Sequence, residues 1–286
     1  MQKITFTRTG EKPASKNYFL LVVSLFLFSA NTMAQGDLLI FPKRLVFDAS
    51  VKSQSLNLSN TGADTARYII SVVQIRMKED GSFETITEPD PGQNFADKNI
   101  RFFPRSVVLG PNEAQTVKVQ IVRAGELTDG EYRSHIYFRS EPEKQPLGED
   151  AKKDTSSISI KLTPVFGISV PVIVRIGEST MDIHLSKVAF QMENDTIPTL
   201  KLTVNRTGNM SVYGDLSVDH IAPQGKVTRV TSIKGLAVYT PNAKRNFRLM
   251  LEKADGVDYK QGSLHIVFTD QSGKKQKVAQ EQIFLR

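Results

Sequence analysis

The longest regular pattern in the chain is a period of two over residues 158–174. Every even position there is apolar or proline, which gives nine successive positions at a period of two. The first odd positions, Ser159, Lys161 and Thr163, are polar. Successive side chains of a β-strand point to opposite faces, so this pattern predicts one long strand with an apolar face. At about 3.3 Å per residue such a strand is longer than one small sandwich covers.

Shorter strands with turn signals between them are predicted along the rest of the chain. In residues 116–123 the apolar side chains Val117, Val119 and Ile121 alternate with polar ones. Similar short segments recur between Gly-, Asn- and Pro-containing turns, and no convincing helical period appears between residues 35 and 175. This pattern predicts an all-β protein with two immunoglobulin-like β-sandwich domains in tandem, over residues 35–175 and 176–286.

Three apolar side chains at the start of the long strand are candidate binding residues. Ile158, Ile160 and Leu162 share one face and follow residues 141–157, which are polar and rich in charge, Pro and Gly. An exposed apolar edge strand is an aggregation hazard unless it serves to bind a partner. The alternative is that the three side chains belong to the core of their own sandwich. For residues 166–174 we expect packing in that core or at the domain junction.

The first 34 residues have the organisation of a secretory signal peptide. Basic residues precede an apolar run of about a dozen residues, which is short for a membrane span, and Thr32 and Ala34 provide small residues before Gln35. We therefore expect a soluble exported protein with no stable membrane insertion.

Composition and motifs argue against most other functions. The chain contains no cysteine, which excludes disulfides and thiolate chemistry, and its four histidines show no metal-ligand spacing. No nucleotide-binding, hydrolase or zinc-protease motif is present. Of the net charge of +7, +3 lies in the first 34 residues, so the remainder does not predict a nucleic-acid surface. We expect no catalytic residues, no bound metal and no cofactor.

Four segments in order resemble the first domain of PapD-like periplasmic pilus-assembly chaperones. These are residues 41–48 (FPKRLVFD), 52–60 (KSQSLNLSN), the stretch from Phe103-Pro104 to 109–118 (LGPNEAQTVK), and 130–138 (GEYRSHIYF). The match spans about 140 residues, while the second domain agrees only in size and class.

The resemblance implies donor-strand complementation of pilin-like subunits. A chaperone of this family inserts alternate apolar residues of its own strand into the groove of an incomplete subunit, and Ile158, Ile160 and Leu162 match that role. It also implies that Arg44 binds the subunit's C-terminal carboxylate. The family's lysine partner does not match, because residues 164–171 (PVFGISVP) contain no basic side chain.

The resulting prediction is a periplasmic chaperone that delivers fimbrial subunits to an outer-membrane usher. Free chaperones of this kind could also self-associate through the donor-strand edge. The alternative function is that of a structural or adhesive immunoglobulin-like surface protein without chaperone activity.

Overall fold

A computed structural model describes residues 38–48, 50–141, 165–272 and 278–285. The predicted signal peptide, residues 1–34, lies outside the described residues, as do the candidate side chains Ile158, Ile160 and Leu162. Strands dominate the described chain, and the predicted all-β class is confirmed. No helix within these ranges is long and apolar enough to cross a membrane.

Ten strands build the first sandwich. They are β1 (Leu38–Phe41), β2 (Leu45–Phe47), β3 (Ser53–Asn60), β4 (Ala66–Met77), β5 (Phe83–Ile86), β6 (Ile100–Phe103), β7 (Ser106–Leu109), β8 (Ala114–Ile121), β9 (Gly130–Glu141) and β10 (Gly167–Ile176). Two 3₁₀ turns, Asp97–Asn99 and Ala124–Glu126, lie in the connections. One sheet has the order β1-β3-β8-β6; the other has β2-β10-β9-β4-β5, with β7 also paired to β4.

The inner faces of these two sheets share one apolar core, as alternation predicts. In β8, Val117 and Val119 are fully buried while Thr116 and Lys118 are exposed. They pack in the same cluster as Phe138 of β9, from the opposite sheet. Burial of large aliphatic and aromatic side chains is the main stabilising contribution in a protein without disulfides.

Seven strands build the second sandwich. They are β11 (Asp182–Glu193), β12 (Ile197–Thr207), β13 (Val212–Ile221), β14 (Val227–Val238), β15 (Lys244–Met250), β16 (Ser263–Asp270) and β17 (Val278–Phe284). The sheets have the orders β11-β12-β15 and β14-β13-β16-β17, and a second core lies between them. The two-sandwich architecture is thus confirmed, whereas the division of the chain after residue 175 stays a prediction.

A third, smaller apolar cluster joins the two sandwiches. Met77 and Ile173 from the outer face of the first sandwich are buried against Ala237 and Tyr239 of the second. Asn242 also donates a side-chain hydrogen bond to the carbonyl oxygen of Met77 at 2.7 Å. The outer face of the β2-β10-β9-β4-β5 sheet is therefore partly an interior surface, and polar residues on it are removed from water.

Candidate functional site

Strand β10 has an open edge over its first residues. It pairs antiparallel with β9 along Gly167–Ile176, but on its other side β2 pairs only with Val172–Val174. Within the part of the chain that the structure describes, no strand lies beside β10 from Gly167 to Pro171 on that side. This segment directly follows the predicted donor positions.

Apolar side chains at the open edge are exposed. Phe166 and Ile168 have the same parity as Ile158, Ile160 and Leu162, and they are 43% and 37% exposed. Val170, Val172 and Val174 are buried. The expectation that residues 166–174 pack in the core or junction is therefore wrong for Phe166 and Ile168. The reason is that the neighbouring strand β2 reaches β10 only from Val172 onwards.

The pairing with β9 determines which main-chain N–H and C=O groups are free at this edge. The amide of Ser140 donates to the carbonyl oxygen of Phe166 at 2.8 Å, so the even residues direct their main-chain groups towards β9. In an antiparallel pair the bonding direction alternates, so Gly167 and Ser169 direct their N–H and C=O groups away from β9. A further strand can be added at this position.

Arg44 lies at the same end of the sheet, between the two sandwiches. It immediately precedes β2, whose parallel register pairs Leu45 with Val172 and so brings Arg44 next to Pro171. Its guanidinium carbon stacks 3.9 Å from the ring centroid of Tyr213, a β13 residue of the second sandwich. The sequence-predicted anchor is thus brought close to the open edge by the β2–β10 pairing.

The Arg44 guanidinium is buried without a hydrogen-bond acceptor. None of its three nitrogens exposes as much as 1 Å² to solvent or has a hydrogen-bond partner among the described residues. Burial lowers the pKa of Arg44, and the neighbouring charge of Arg175 acts in the same direction. A buried charged donor without an acceptor is costly, so an anion placed here would recover several charge-assisted hydrogen bonds.

A cavity of about 550 Å³ opens beside Arg44. Its wall contains residues of both sandwiches: Lys43 and Arg44 from the first, and Tyr213, Asp215, Lys234 and Tyr239 from the second. Three of these side chains are cationic and one is acidic, so the cavity is suited to a small anion.

Glu131 joins the two sandwiches next to this cavity. Its Oε2 accepts hydrogen bonds from Nε of Arg175 at 3.0 Å and from the amide and hydroxyl of Ser211 at 3.0 and 2.7 Å. Arg175 also donates to the carbonyl oxygens of Ser272 and Ser211, at 2.6 and 2.8 Å. Each of the three guanidinium nitrogens of Arg175 thus already has an acceptor within the junction.

Glu131 is also the counter-charge of a buried arginine cluster. Burial lowers the pKa of Arg44, Arg133 and Arg206, and the negative charge of Glu131 acts in the opposite direction on all three. Two nitrogens of Arg133 are buried without a hydrogen-bond partner among the described residues, although its guanidinium stacks 4.3 Å from the ring centroid of Tyr239. The junction thus carries more buried positive than negative charge.

His135 is buried on the same face of β9 as Glu131 and Arg133. Its burial makes the free energy of unfolding depend on pH. Burial lowers the pKa of His135 to about 3, and Arg133 on the same strand acts in the same direction. Its other neighbours, Phe83, Val73 and Pro171, carry no charge. An unfolded histidine binds a proton below its ordinary pKa of about 6.5, whereas the folded protein resists protonation down to about pH 3.

We predict that this histidine makes stability fall as the pH decreases from about 6.5 towards 3, at up to about 1.4 kcal/mol per pH unit. Urea denaturation of the wild type and of His135→Asn between pH 4 and 7 measures the slope, which should be shallower in the variant. His184→Asn, at an exposed position of β11, is the matched control and should keep the wild-type slope. Equal slopes in all three proteins would show that His135 is protonated in the folded state.

Within the described ranges, no group of three or more metal-ligating side chains comes together. The two buried histidines, His135 and His220, lie in different sandwiches, and a ring nitrogen of His220 lies 3.0 Å from the carbonyl oxygen of Gln261.

Sequence reasoning identified Arg44 but missed the groups that surround it. Tyr213 and Lys234 are far from Arg44 along the chain, and their approach depends on how the two sandwiches pack. One local signal existed: a glycine inside a strand pattern, such as Gly235 after Lys234, often marks a β-bulge.

No protein-family model and no curated protein matches the chain. Among solved structures, the chain is similar to the CsuC–CsuE chaperone–tip subunit complex of Acinetobacter baumannii. The identity is 14%, the match covers 86% of this chain and 98% of that chain, and the TM-score is 0.44. The class 5 fimbriae chaperone CfaA is 10% identical over 87% of this chain and 99% of that chain, with a TM-score of 0.43. The Salmonella enterica SafA pilin–SafB chaperone complex is 13% identical over 86% of this chain and 96% of that chain, with a TM-score of 0.41. Each of these structures contains a fimbrial or pilin chaperone.

Proposed function

We propose that the protein is a periplasmic chaperone that binds pilin-like subunits by donor-strand complementation and delivers them to an outer-membrane usher. The observation that carries this proposal is the edge of β10, where Phe166 and Ile168 expose apolar side chains and no described strand pairs with the main chain from Gly167 to Pro171 on one side. A strand with both features binds a partner by adding to its sheet.

The proposed donor strand extends the described edge towards the N-terminal side. The run of apolar or proline residues at even positions is unbroken from residue 158 to 174, so Ile158, Ile160 and Leu162 are expected on the same face as Phe166 and Ile168. Five apolar side chains at alternate positions would then fill a groove in a subunit that lacks its last strand. The main chain would supply affinity and the side chains selectivity.

Arg44 is proposed to bind the C-terminal carboxylate of the subunit. It lies beside Pro171, where the open edge of β10 stops and β2 begins to pair, so a carboxylate bound there would fix the register of the partner strand along the edge. A guanidinium binds a carboxylate through two parallel hydrogen bonds, and the nitrogens of Arg44 have no competing acceptor among the described residues.

The parity of the exposed residues provides a direct test. Phe166 and Val165 are both 43% exposed but have opposite parity. We expect Phe166→Asp to weaken capture of a subunit about tenfold or more, because a charged group would enter the apolar groove. Val165→Asp should leave capture nearly unchanged.

The assay is affinity purification of the tagged protein from periplasmic extract, with mass spectrometry and quantification of the co-eluting protein. The expected co-eluting protein is a pilin-like subunit, accompanied by an outer-membrane usher. Equal loss of capture in both variants would mean that the strand face does not select the partner. Retention of capture in Phe166→Asp would contradict the proposed role of this edge.

A further inference from the structure

The cavity beside Arg44 contains cations from both sandwiches. Lys43 and Arg44 come from the segment before β2, and Lys234 comes from β14 of the second sandwich. None of the three forms an ion pair with an acidic side chain that the structure describes. The cavity therefore has a surplus of positive charge that its own residues do not compensate.

Asp215, the one acidic residue in the described wall of the cavity, is already hydrogen-bonded. Its Oδ1 accepts a hydrogen bond from the amide of Gly235 at 2.9 Å, and its Oδ2 accepts one from Nε2 of Gln271 at 2.8 Å. These two neutral donors hold the carboxylate within its own sandwich. Lys234 is thus left without an acidic partner although it lies in the same cavity wall.

A β-bulge places Lys234 at this position. In the pairing of β13 with β14, Gly214 lies opposite Leu236 and Leu216 lies opposite Ile233, so Lys234 and Gly235 together face the single residue Asp215. Bulges re-aim side chains and are frequent next to binding sites.

Gly235 is required for this geometry. Its φ of +74° favours glycine, and a Cβ atom there would lie 2.8 Å from the Tyr213 hydroxyl oxygen. Tyr213 in turn supports the Arg44 guanidinium on its ring. The bulge therefore positions Lys234 relative to Tyr213, the residue on which the Arg44 guanidinium stacks.

We propose that Lys234 is the second cation of the carboxylate site, so that a subunit's C-terminal carboxylate is bound jointly by Arg44 of one sandwich and Lys234 of the other. This inference rests on the proposed function, because it concerns the same bound chain end. Arg44 supplies the directional hydrogen bonds, whereas Lys234 supplies a point charge on a flexible stem.

The other basic residues near the cavity are poorer candidates. Arg175 uses its donors on Glu131, Ser272 and Ser211. Lys43 lines the cavity but adjoins Arg44 in an exposed segment that no bulge or hydrogen bond fixes among the described residues. The nitrogens of Arg44 are nearly sealed from solvent, so a carboxylate must displace neighbouring atoms to reach them.

N-acetylglycine is a suitable probe, since it carries a C-terminal carboxylate and almost nothing else. Titration into the ¹⁵N-arginine-labelled protein at low ionic strength should move the Arg44 Nε–Hε resonance to saturation, and the uncharged analogue N-acetylglycinamide should not move it. We expect Lys234→Met to raise the Kd about two- to fivefold, the range for a pair at an exposed lysine. Lys253→Met, at another exposed lysine of the second sandwich, should leave the Kd unchanged.

The outcomes separate this inference from the proposed function. If Lys234→Met binds N-acetylglycine as tightly as the wild type, or if Lys43→Met has the larger effect, the role of Lys234 is contradicted while Arg44 keeps its own. If N-acetylglycine does not move the Arg44 resonance, neither residue binds a carboxylate. Donor-strand capture is measured separately, by comparing Phe166→Asp with its control Val165→Asp.

Discussion

Replacing Glu131 by alanine is expected to lower the free energy of unfolding by about 3–5 kcal/mol, the range for removing one partner of a buried ion pair. The side chain of Glu131 is fully buried and bonded to Arg175 and Ser211. Its loss would leave Arg175 without its carboxylate and would leave the buried cations around it uncompensated. Urea denaturation at neutral pH measures the difference.

The control for Glu131 is Glu126→Ala. Glu126 is an exposed acidic residue in the 3₁₀ turn before β9, and it forms no ion pair with the residues that the structure describes. This variant should differ from the wild type by less than about 0.5 kcal/mol. If Glu131→Ala is as stable as Glu126→Ala, the network of Glu131 does not hold the two sandwiches together.

The double substitution Ile158→Asp/Ile160→Asp is expected to abolish capture of the subunit. Each buried isoleucine contributes about 1.5–3 kcal/mol, so losing two corresponds to a decrease in affinity of at least about 100-fold before the cost of burying two charges. The free protein should keep its stability, because these side chains are proposed to face a partner and not their own core. Co-purification of the subunit and urea denaturation measure the two effects.

The opposite face of the same stretch provides a charge-matched control. Ser159→Asp/Thr163→Asp adds the same two negative charges at polar, odd positions. We expect this variant to capture the subunit almost as well as the wild type. Should Ile158→Asp/Ile160→Asp unfold the protein instead, the two isoleucines belong to the core of their own sandwich, which is the alternative that the sequence pattern left open.

The sequence was sufficient to predict strand parity and fold class. The burial of Val117 and Val119 and the exposure of Lys118 follow from alternation alone. The reason is that each sheet of a two-sheet sandwich has one face towards the core and one face towards solvent. Arg44 was found through the residues around it, and the structure places it beside a cavity suited to an anion. These features depend on neighbours that are close along the chain.

Features that depend on packing between distant segments could not be predicted. Glu131, Arg133 and His135 alternate along β9 on what looks like a solvent face, yet all three are buried. Glu131 and Arg133 are hydrogen-bonded to Ser211 and Thr240 of the second sandwich, which covers that part of the face. Phe166 and Ile168 show the reverse, since their pattern indicates a core position but no strand covers them among the described residues. Alternation reveals which side chains share a face, and only the tertiary structure shows what lies against it.

Amide hydrogen exchange of Gly167 and Ser169, whose N–H groups point away from β9, tests the donor-strand account most directly when it is measured in the free protein and in its complex with the captured subunit. The account predicts rapid exchange in the free protein and strong protection in the complex, as the edge acquires a partner strand. Protection that is already strong in the free protein, or exchange that stays rapid in the complex, would contradict it.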